Sequence, residues 1–388
     1  MSFMRNIQDL RSAGLDYLTL DQALTYEQPT SYLVKSTSYE NGLPTPVLTA
    51  GQTFILGYTA ETQGVYMASE QNPVIIFDDF TTAFKWVDFP FKVKSSAMKM
   101  LRLRDPSKFR LRFIYYWMQT CRFSPTQHVR HWISQYSKLA IPLVPLDVQD
   151  DVISRLDKLA SLGQALEAEL KLRQKQLEAL LDLFYGDIDS GQPFDELGSV
   201  GVFIRGNGML KDTLKNEGMP AIHYGQVHTL YGTATSETQS FVDPSYGIKL
   251  RQANPGDVIL ATTAEDIQGV AKPCAWLGSV PAAVSGDAYI FRTTLDPLFA
   301  AYFFKSRTFQ NQKALLVTGT KVKRISGEML SKVRIPMRTS QKQEEIGKAL
   351  ASVESLMSDA NHGLEAELRL RKDQFAYYRD SLLTFERA

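Results

Sequence analysis

Lysine and arginine side chains, which bind phosphate oxygens and the acceptor edge of guanine, gather in two stretches of this 388-residue sequence. Between Lys85 and Lys138 twelve Lys or Arg stand against two acids, and between Lys305 and Lys342 ten stand against one. The whole chain carries a formal charge of only +1, so the basic stretches are local features. Two such patches suit the binding of one polyanion at two points, although a solvated basic face is the simpler alternative.

Three polar loops supply candidate contact residues. SPTQHVRHWIS (124–134) and VTGTKVKRISG (317–327) share a valine flanked by basic residues and a following Ile-Ser, and FIRGNGMLKD (203–212) is a glycine-rich loop with basic and amide side chains. Arginine and lysine suit phosphates or guanine, and glutamine can pair with adenine. For His223 a structural role is as good an interpretation as a base contact. The DNA-binding candidates, chosen by charge and placement, are Lys92, Lys94, Lys99, Arg102, Arg122, Gln127, His128, Arg130, Arg205, Asn207, Lys211, His223, Lys321, Lys323 and Arg324.

Residues with the spacing of an active site are not found in the sequence. No GxxxxGK[ST] loop for ATP, no NPPY or DPPY methyltransferase motif and no PD…ExK nuclease pattern occurs. Cys121 and Cys274 are far apart in the sequence and outside any Cys/His cluster, so neither a disulfide framework nor a zinc site is indicated. We therefore expect a non-catalytic chain with no catalytic residues, no metal and no cofactor of its own.

The elements that would position these loops are two repeated helical segments. LEAELKLR (166–173) and LEAELRLR (364–371) are nearly identical octets within longer runs of apolar residues at heptad spacing, which is typical of a coiled-coil seam. The seam positions match at an offset of 194 before the octets and 198 within them. The second copy thus has a four-residue insertion, which we expect to leave a continuous helix with its apolar face in line.

The repeat extends beyond the helices. SKLAIP (137–142) corresponds to SKVRIP (331–336), and Gln149 corresponds to Gln343. Short β-branched runs such as NPVIIFDDF predict strands, and FRLRFIYYWMQT predicts an amphipathic helix. The sequence therefore predicts a mixed α/β (α+β) fold with an internal repeat: a globular domain at 1–143, a helix at 144–187, a second globular domain at 188–338 and a second helix at 339–388.

This arrangement resembles the specificity subunit of type I restriction-modification systems over essentially the full chain. The resemblance rests on the two helical segments and on the junctions IPLVPLDVQDDVI and IPMRTSQKQEEI, in which an Ile-Pro step precedes Gln and then Val or Ile. It implies two target-recognition domains separated by an antiparallel coiled coil with a pseudo-two-fold axis. Each domain would read one half of a bipartite double-stranded DNA sequence, and the helices would fix the spacer.

The resemblance also implies partners. Two DNA methyltransferase (modification) subunits would bind S-adenosylmethionine, and restriction subunits would use ATP and Mg for translocation and cleavage. The octets could dock the modification subunits, because near-identity of outward charges exceeds what a helix seam needs. Ordinary solvated helix positions are the alternative for each single residue. The docking candidates are Glu167, Glu169, Arg173, Glu365, Glu367 and Arg371.

A different class of function remains open from the sequence alone. A tandem binding module with a coiled-coil spacer could recognise another acidic ligand without DNA sequence specificity. No window approaches the roughly 20 apolar residues of a membrane span, and the first residues lack the apolar run of a signal peptide. We expect a cytoplasmic protein with no membrane partner.

Overall fold

The computed structural model describes residues 10, 14–51, 53–125, 130–186, 193–359 and 363–385. The chain divides into two compact units. Unit 1 comprises Met1–Gln164 and Leu370–Ala388, and unit 2 comprises Ala165–Arg369. The linear boundaries predicted from the sequence lie at the ends of the helical segments, whereas this division cuts within the segments, so each segment contributes to both units.

Unit 1 is built around two antiparallel or mixed sheets and one short buried helix. Its elements are β1 (Tyr17–Thr19), α1 (Leu20–Ala23), β2 (Leu24–Glu27), β3 (Thr45–Leu48), β4 (Ile55–Thr59), β5 (Val74–Asp78), β6 (Phe84–Val87), β7 (Lys92–Val93), β8 (Met98–Leu103), α2 (Leu111–Met118), α3 (His131–Ser134) and β9 (Ala140–Pro142), followed by the long helix α4 (Leu146–Tyr185). The sheets have the strand orders β2-β8-β5-β6 and β4-β3-β7, and β1 pairs with β9.

The strands of unit 2 are β10 (Phe194–Glu196), β11 (Gly201–Arg205), β12 (Met219–Ile222), β13 (Ala234–Thr235), β14 (Ser240–Val242), β15 (Gln252–Ala253), β16 (Val258–Ala261), β17 (Thr263–Ala264), β18 (Lys272–Trp276), β19 (Ala282–Val284), β20 (Ala288–Thr293), β21 (Lys323–Arg324) and β22 (Arg334–Pro336). They form a five-stranded sheet, β11-β20-β16-β18-β13, and a four-stranded sheet, β14-β12-β19-β15, with the pairs β10-β22 and β17-β21. Its short helices are α5 (Leu197–Val200), α6 (Tyr224–Thr229), α7 (Pro244–Gly247), α8 (Pro297–Phe303), α9 (Arg307–Ala314) and α10 (Gly327–Ser331).

The central strands explain the continuous apolar runs of the sequence. In β5, Ile75 and Phe77 enter the core beside α2, while Val74 and Ile76 enter a second core on the other face. Strand β16 does the same in unit 2, where alternate residues enter two different cores. A strand covered on both faces needs apolar side chains at every position, which is why neither run alternates with polar residues.

The predicted repeat is present in the fold. Strand β1 pairs antiparallel with β9 through Tyr17 and Pro142, and β10 pairs antiparallel with β22 through Phe194 and Pro336. Each Ile-Pro step is therefore the strand that closes its unit immediately before a helical segment. The mixed helix-and-strand class predicted from the sequence is confirmed.

The second helical segment differs from the first. The first is the single helix α4, whereas the second consists of α11 (Ser340–Ser358) and α12 (Leu364–Leu383). The break falls where the repeat offset changes, so the four-residue insertion interrupts the helix, and the expectation of a continuous second helix is corrected. Gly363 allows the new start: a Cβ there would lie 2.6 Å from the Asp359 backbone N and 2.8 Å from the Met357 O.

In each unit the start of one helical segment shares a core with the end of the other. In unit 1, Val152 near the start of α4 shares a core with Leu382 near the end of α12. In unit 2, Leu181 near the end of α4 shares a core with Ile346 near the start of α11. Within the described ranges no helix is long and apolar enough to cross a membrane.

Candidate nucleic-acid interface

A cleft in unit 2 collects the predicted residues of the second half. Arg205, Asn207, Lys211 and His223 all line it, together with Arg251. The cleft has a volume of about 810 Å³ and is completed by backbone and side chains of Ser285–Asp287. Residues 82 positions apart in the chain meet here because β11 pairs with β20 and β12 pairs with β19.

The glycine-rich loop after β11 is held in place by its own side chains. The Asn207 Oδ1 accepts the backbone N–H of Arg251 at 2.6 Å, and the Arg251 Nη1 donates to the Arg205 carbonyl at 2.9 Å. A Cβ on Gly206 would lie 2.1 Å from the Ser285 carbonyl oxygen, so only glycine fits against this strand end. Asn207 therefore braces the loop through its carbonyl oxygen, and its role in the cleft is first of all structural.

The charged groups of the cleft are only partly neutralised. The Arg205 side chain is 63% exposed, with its Nη2 4.0 Å from the Asp287 Oδ1. The Arg205 Nε donates to the Gly286 carbonyl at 3.0 Å, which leaves the outer edge of the guanidinium turned to solvent. Lys211 is exposed at the rim. Three cations and one carboxylate give this cleft a net positive charge, which suits an anionic ligand.

His223 presents a defined hydrogen-bonding edge. Its Nδ1 accepts the backbone N–H of Gly225 at 3.2 Å. Burial lowers the pKa of His223 from its ordinary value of 6.5, with the Asp287 charge opposing and the Lys211 charge reinforcing that shift. The imidazole is therefore neutral at pH 7, and because Nδ1 is an acceptor, the proton lies on Nε2. Such a histidine is a hydrogen-bond donor toward acceptor atoms such as purine N7.

The basic loop at 317–324 forms a separate surface of unit 2. Strand β21 pairs Lys323 and Arg324 with β17, and Thr318 exchanges two backbone hydrogen bonds of 2.9 Å with Arg324. The turn needs Gly319, which has a φ of +100°. Lys321 and Arg324 are exposed, while the Lys323 Nζ donates to the Gly319 carbonyl at 2.8 Å. These three cations do not line the cleft.

In unit 1 the exposed candidates are Lys94, Arg122 and Arg130. The Lys94 Nζ lies 5.7 Å from the Tyr39 ring centroid. Arg102 is half-buried and its Nε donates to the Tyr66 Oη at 2.5 Å. The predicted Gln127 and His128 lie outside the described residues.

Two predicted contacts are corrected by burial. The Lys92 side chain is 2% exposed, with its Nζ 3.2 Å from the Glu61 Oε2 and 2.7 Å from the Gln63 carbonyl oxygen. The Lys99 side chain is 1% exposed and its Nζ lies 3.1 Å from the Asp79 Oδ2. Both charges are matched inside unit 1, so neither lysine can reach DNA in this fold. A count of basic residues along a sequence cannot detect this.

The repeated octets keep the same local geometry in both copies. The Arg173 Nη1 donates to the Gln176 Oε1 and the Arg371 Nη1 donates to the Gln374 Oε1, each at 2.9 Å. Glu169 adds an ion pair with Arg173 at 2.8 Å. Glu365 and Glu367 are exposed, and Glu167 is half-exposed. The equivalent leucines of the two octets also face solvent, since Leu172 is 61% exposed and Leu370 is 62% exposed.

Sequence reasoning missed Arg251 and Asp287. Arg251 is 44 residues from Asn207 and belongs to no motif, and only the strand order of unit 2 brings it to the cleft. Among the described residues no group of three or more His, Cys, Asp or Glu could hold a metal ion.

No protein-family model matches the chain. The sequence is 34% identical over 397 residues to the type I restriction enzyme EcoR124I/EcoR124II specificity subunit of Escherichia coli, covering 99% of this chain and 97% of that protein. The chain belongs to the specificity subunits of type I restriction enzymes. This specificity subunit is also 22% identical, over 86% of each chain, to a Haemophilus influenzae protein named as a type I restriction enzyme specificity subunit, S.HindORF215P.

The fold agrees with that assignment. A crystal structure of the type I restriction-modification S subunit from M. genitalium matches 95% of each chain with a TM-score of 0.57 at 13% identity. At that identity the likeness concerns the fold alone. The family predicted from the junctions and octets is confirmed.

Proposed function

We propose that this specificity subunit reads a bipartite double-stranded DNA sequence, with one half-site bound by each unit and a spacer fixed by the helical segments. The observation that carries the proposal is the cleft of unit 2, where Arg205, Lys211, Arg251 and His223 converge. Arginine and lysine there would hold phosphates or guanine, and the His223 Nε2–H would donate to a base acceptor in the major groove. Lys321 and Arg324 would add phosphate contacts from the separate basic loop at 317–324.

Unit 1 would read the other half-site through Arg130 and its flanking segment. Arg122 and Lys94 are exposed on the same unit and would contribute phosphate contacts. Each unit has an equivalent closing strand and helix junction, but the exposed basic side chains differ between the two units. Different half-sites follow naturally from that difference.

The octets would dock two copies of a DNA methyltransferase (modification) subunit. Equal geometry at Arg173 and Arg371, with nearly equal exposure at Leu172 and Leu370, supports two identical partners on two similar surfaces. The methyl donor S-adenosylmethionine would bind those subunits, and restriction subunits would use ATP and Mg. This chain would supply recognition and no chemical step.

A methylome of cells that express this chain together with a type I modification subunit tests the proposal. We expect a bipartite adenine-methylated motif with one fixed gap, absent from cells that lack this gene. The variant Arg205→Ala/Lys211→Ala should relax or abolish one half of the motif and leave the other half and the gap unchanged. The matched control Lys249→Ala changes an exposed lysine outside the cleft and should leave the motif intact. A wild-type methylome with no motif that depends on this gene would refute the proposal.

A further inference from the structure

Unit 1 contains an ion pair that is fully removed from solvent. The Lys99 Nζ lies 3.1 Å from the Asp79 Oδ2, and both side chains are 1% exposed. The Tyr26 ring lies 4.7 Å from the same Nζ and closes the pair on one side. Burying two charges costs free energy that their attraction only partly offsets, and an apolar pair of similar volume often gives a fold that is equally stable. A gain in stability is thus a weak explanation for the presence of this ion pair.

The other polar atoms of Asp79 hold a different part of the chain. Its Oδ1 accepts the backbone N–H of Trp132 at 2.7 Å, and its carbonyl oxygen accepts the backbone N–H of His131 at 2.8 Å. Two consecutive amides are therefore fixed by one residue. The Trp132 ring is buried against Phe77, with ring centroids 5.0 Å apart, which locks the same point from the apolar side.

These amides directly follow Arg130, the exposed basic residue at the start of α3. The Ser134 Oγ donates to the Arg130 carbonyl at 2.9 Å, so the backbone of Arg130 is also tied to α3. By contrast, Lys92, the other buried lysine in the described part of unit 1, bonds to residues 61–64, none of which is a candidate contact. The Asp79–Lys99 pair is thus the buried charge connected to the candidate interface of unit 1.

We propose that Asp79 is a positioning residue for DNA reading by unit 1, with Lys99 as its charge partner. Asp79 sets the backbone from which Arg130 projects, and the 3.1 Å contact with Lys99 holds the Asp79 carboxylate in its orientation in the interior. The inference rests on the proposed function, because it assumes that the segment of Arg130 reads a half-site. Reading by hydrogen bonds requires placement to within a few tenths of an ångström, which a mobile basic loop does not provide.

Two double variants separate positioning from folding. Asp79→Asn/Lys99→Met removes both charges but keeps a carbonyl oxygen that can accept the Trp132 N–H. Asp79→Leu/Lys99→Met removes both charges and the acceptor. Each is assembled as the full chain with the modification subunit, and methylation is measured on the cognate duplex and on duplexes with single base changes in either half-site. Thermal unfolding of each complex is recorded in parallel.

We expect both variants to melt within a few degrees of the wild type. The leucine variant should lose at least tenfold discrimination in one half-site only, and Arg130→Ala should relax the same half-site. The asparagine variant should retain discrimination to within about threefold. If the leucine variant does not fold, Asp79→Ala/Lys99→Met removes the acceptor with a smaller side chain.

Several results would overturn the inference. These are unchanged discrimination in the variant without the acceptor, equal loss in both half-sites, no effect of Arg130→Ala, or loss of folding in every variant that lacks the acceptor. A wild-type complex that methylates no bipartite site would instead refute the proposed function, so the two failures are distinguishable.

Discussion

The two units fasten a short internal helix to a helical segment with the same kind of contact made by different residues. In unit 1 the Tyr116 hydroxyl on α2 donates to Asp157 on α4, and the Arg112 Nε donates to the same carboxylate at 2.8 Å. In unit 2 the Tyr302 hydroxyl on α8 donates to Glu354 on α11 at 2.7 Å, and Lys305 pairs with that carboxylate.

The tyrosines correspond in the repeat and the carboxylates do not. Tyr116 and Tyr302 occupy the same position on α2 and α8, whereas the residue equivalent to Asp157 in the second segment is Ala351, one helical turn before Glu354. Burial alone raises the pKa of Glu354, but the Lys305 charge and the hydrogen bonds bring the pKa below its ordinary value, so the group is ionised. Both units therefore keep a contact between a tyrosine hydroxyl and a paired carboxylate at this junction, although the charged side chains that make it differ.

A stricter equivalence holds at the glutamines that follow each Ile-Pro step. Gln149 accepts the backbone N–H of Arg110 at 2.8 Å and donates to the carbonyls of Lys108 and Val144. Gln343 accepts the backbone N–H of Asp296 at 2.9 Å and donates to the carbonyl of Arg338. The side-chain amide is both donor and acceptor, and no other residue type of that length satisfies both backbone groups.

Gln149→Ala is expected to have the largest effect on the folded state. It removes the hydrogen-bond partner of one buried and two part-buried backbone groups, and we expect the free energy of unfolding of unit 1 to fall by about 3 kcal/mol. Gln343→Ala removes two such bonds and should lower the stability of unit 2 by less. Urea unfolding followed by peptide-resolved hydrogen exchange reports each unit separately.

Gln174→Ala is the control for both glutamine variants, because Gln174 is an exposed helical residue. Equal, small losses of unfolding free energy in all three variants would contradict the view that Gln149 and Gln343 fix the backbone at the start of each helical segment.

Removing the carboxylates should lower the stability of unit 2 more than that of unit 1, which is the reverse of the order expected for the glutamines. The Glu354 side chain is 18% exposed, whereas the Asp157 side chain is 43% exposed. We expect Glu354→Ala to destabilise unit 2 by about 2–3 kcal/mol, because Lys305 and Tyr302 lose a shielded partner. Asp157→Ala should cost unit 1 about 1 kcal/mol, since solvent screens its ion pair.

The same hydrogen-exchange measurement ranks the two carboxylate variants. The exposed pair of Glu344 and Lys348 provides a control, and Glu344→Ala should give no resolvable change. A larger loss for Asp157 than for Glu354 would show that exposure does not decide the strength of these contacts.

Replacing either of two glycines by alanine should change stability, but in opposite directions. Gly163 lies within α4 with open space around its Cβ position, so Gly163→Ala should stabilise unit 1 by about 0.5–1 kcal/mol. Gly363 lies at the break before α12, where a Cβ would meet the Asp359 backbone, so Gly363→Ala should destabilise unit 2. Thermal unfolding of the single variants and the wild type checks both signs. Stabilisation by both substitutions would mean that the break does not depend on glycine.

Periodicity and repetition made much of the fold predictable. The octets, the Ile-Pro steps and the apolar runs predict the helical segments, the closing strands and the mixed class, because each reflects local propensity or burial. The helix break was not predictable in the same way. A four-residue insertion preserves the apolar face of a helix, and only the close backbone approach at Gly363 distinguishes a break from a continuous helix.

The candidate interface was predictable in part. The second-half residues Arg205, Asn207, Lys211 and His223 do share one cleft. Sequence reasoning could not separate exposed lysines from Lys92 and Lys99, because residue type carries the charge but tertiary contacts decide burial. It could not place Arg251 either, because long-range strand pairing brings it to the cleft.

Unit 1 draws its core from both sides of unit 2 in the chain. Leu382 and Leu383, 2% and 1% exposed, share the core of Val152 and Trp117. Unit 2 is therefore translated in full before the last part of unit 1. Unit 1 can complete its core only after that point, so it does not finish folding first, as N-terminal domains usually do. A premature stop codon near Leu370 would yield a chain whose second unit is complete in sequence while its first unit keeps an open apolar face for chaperones or proteases.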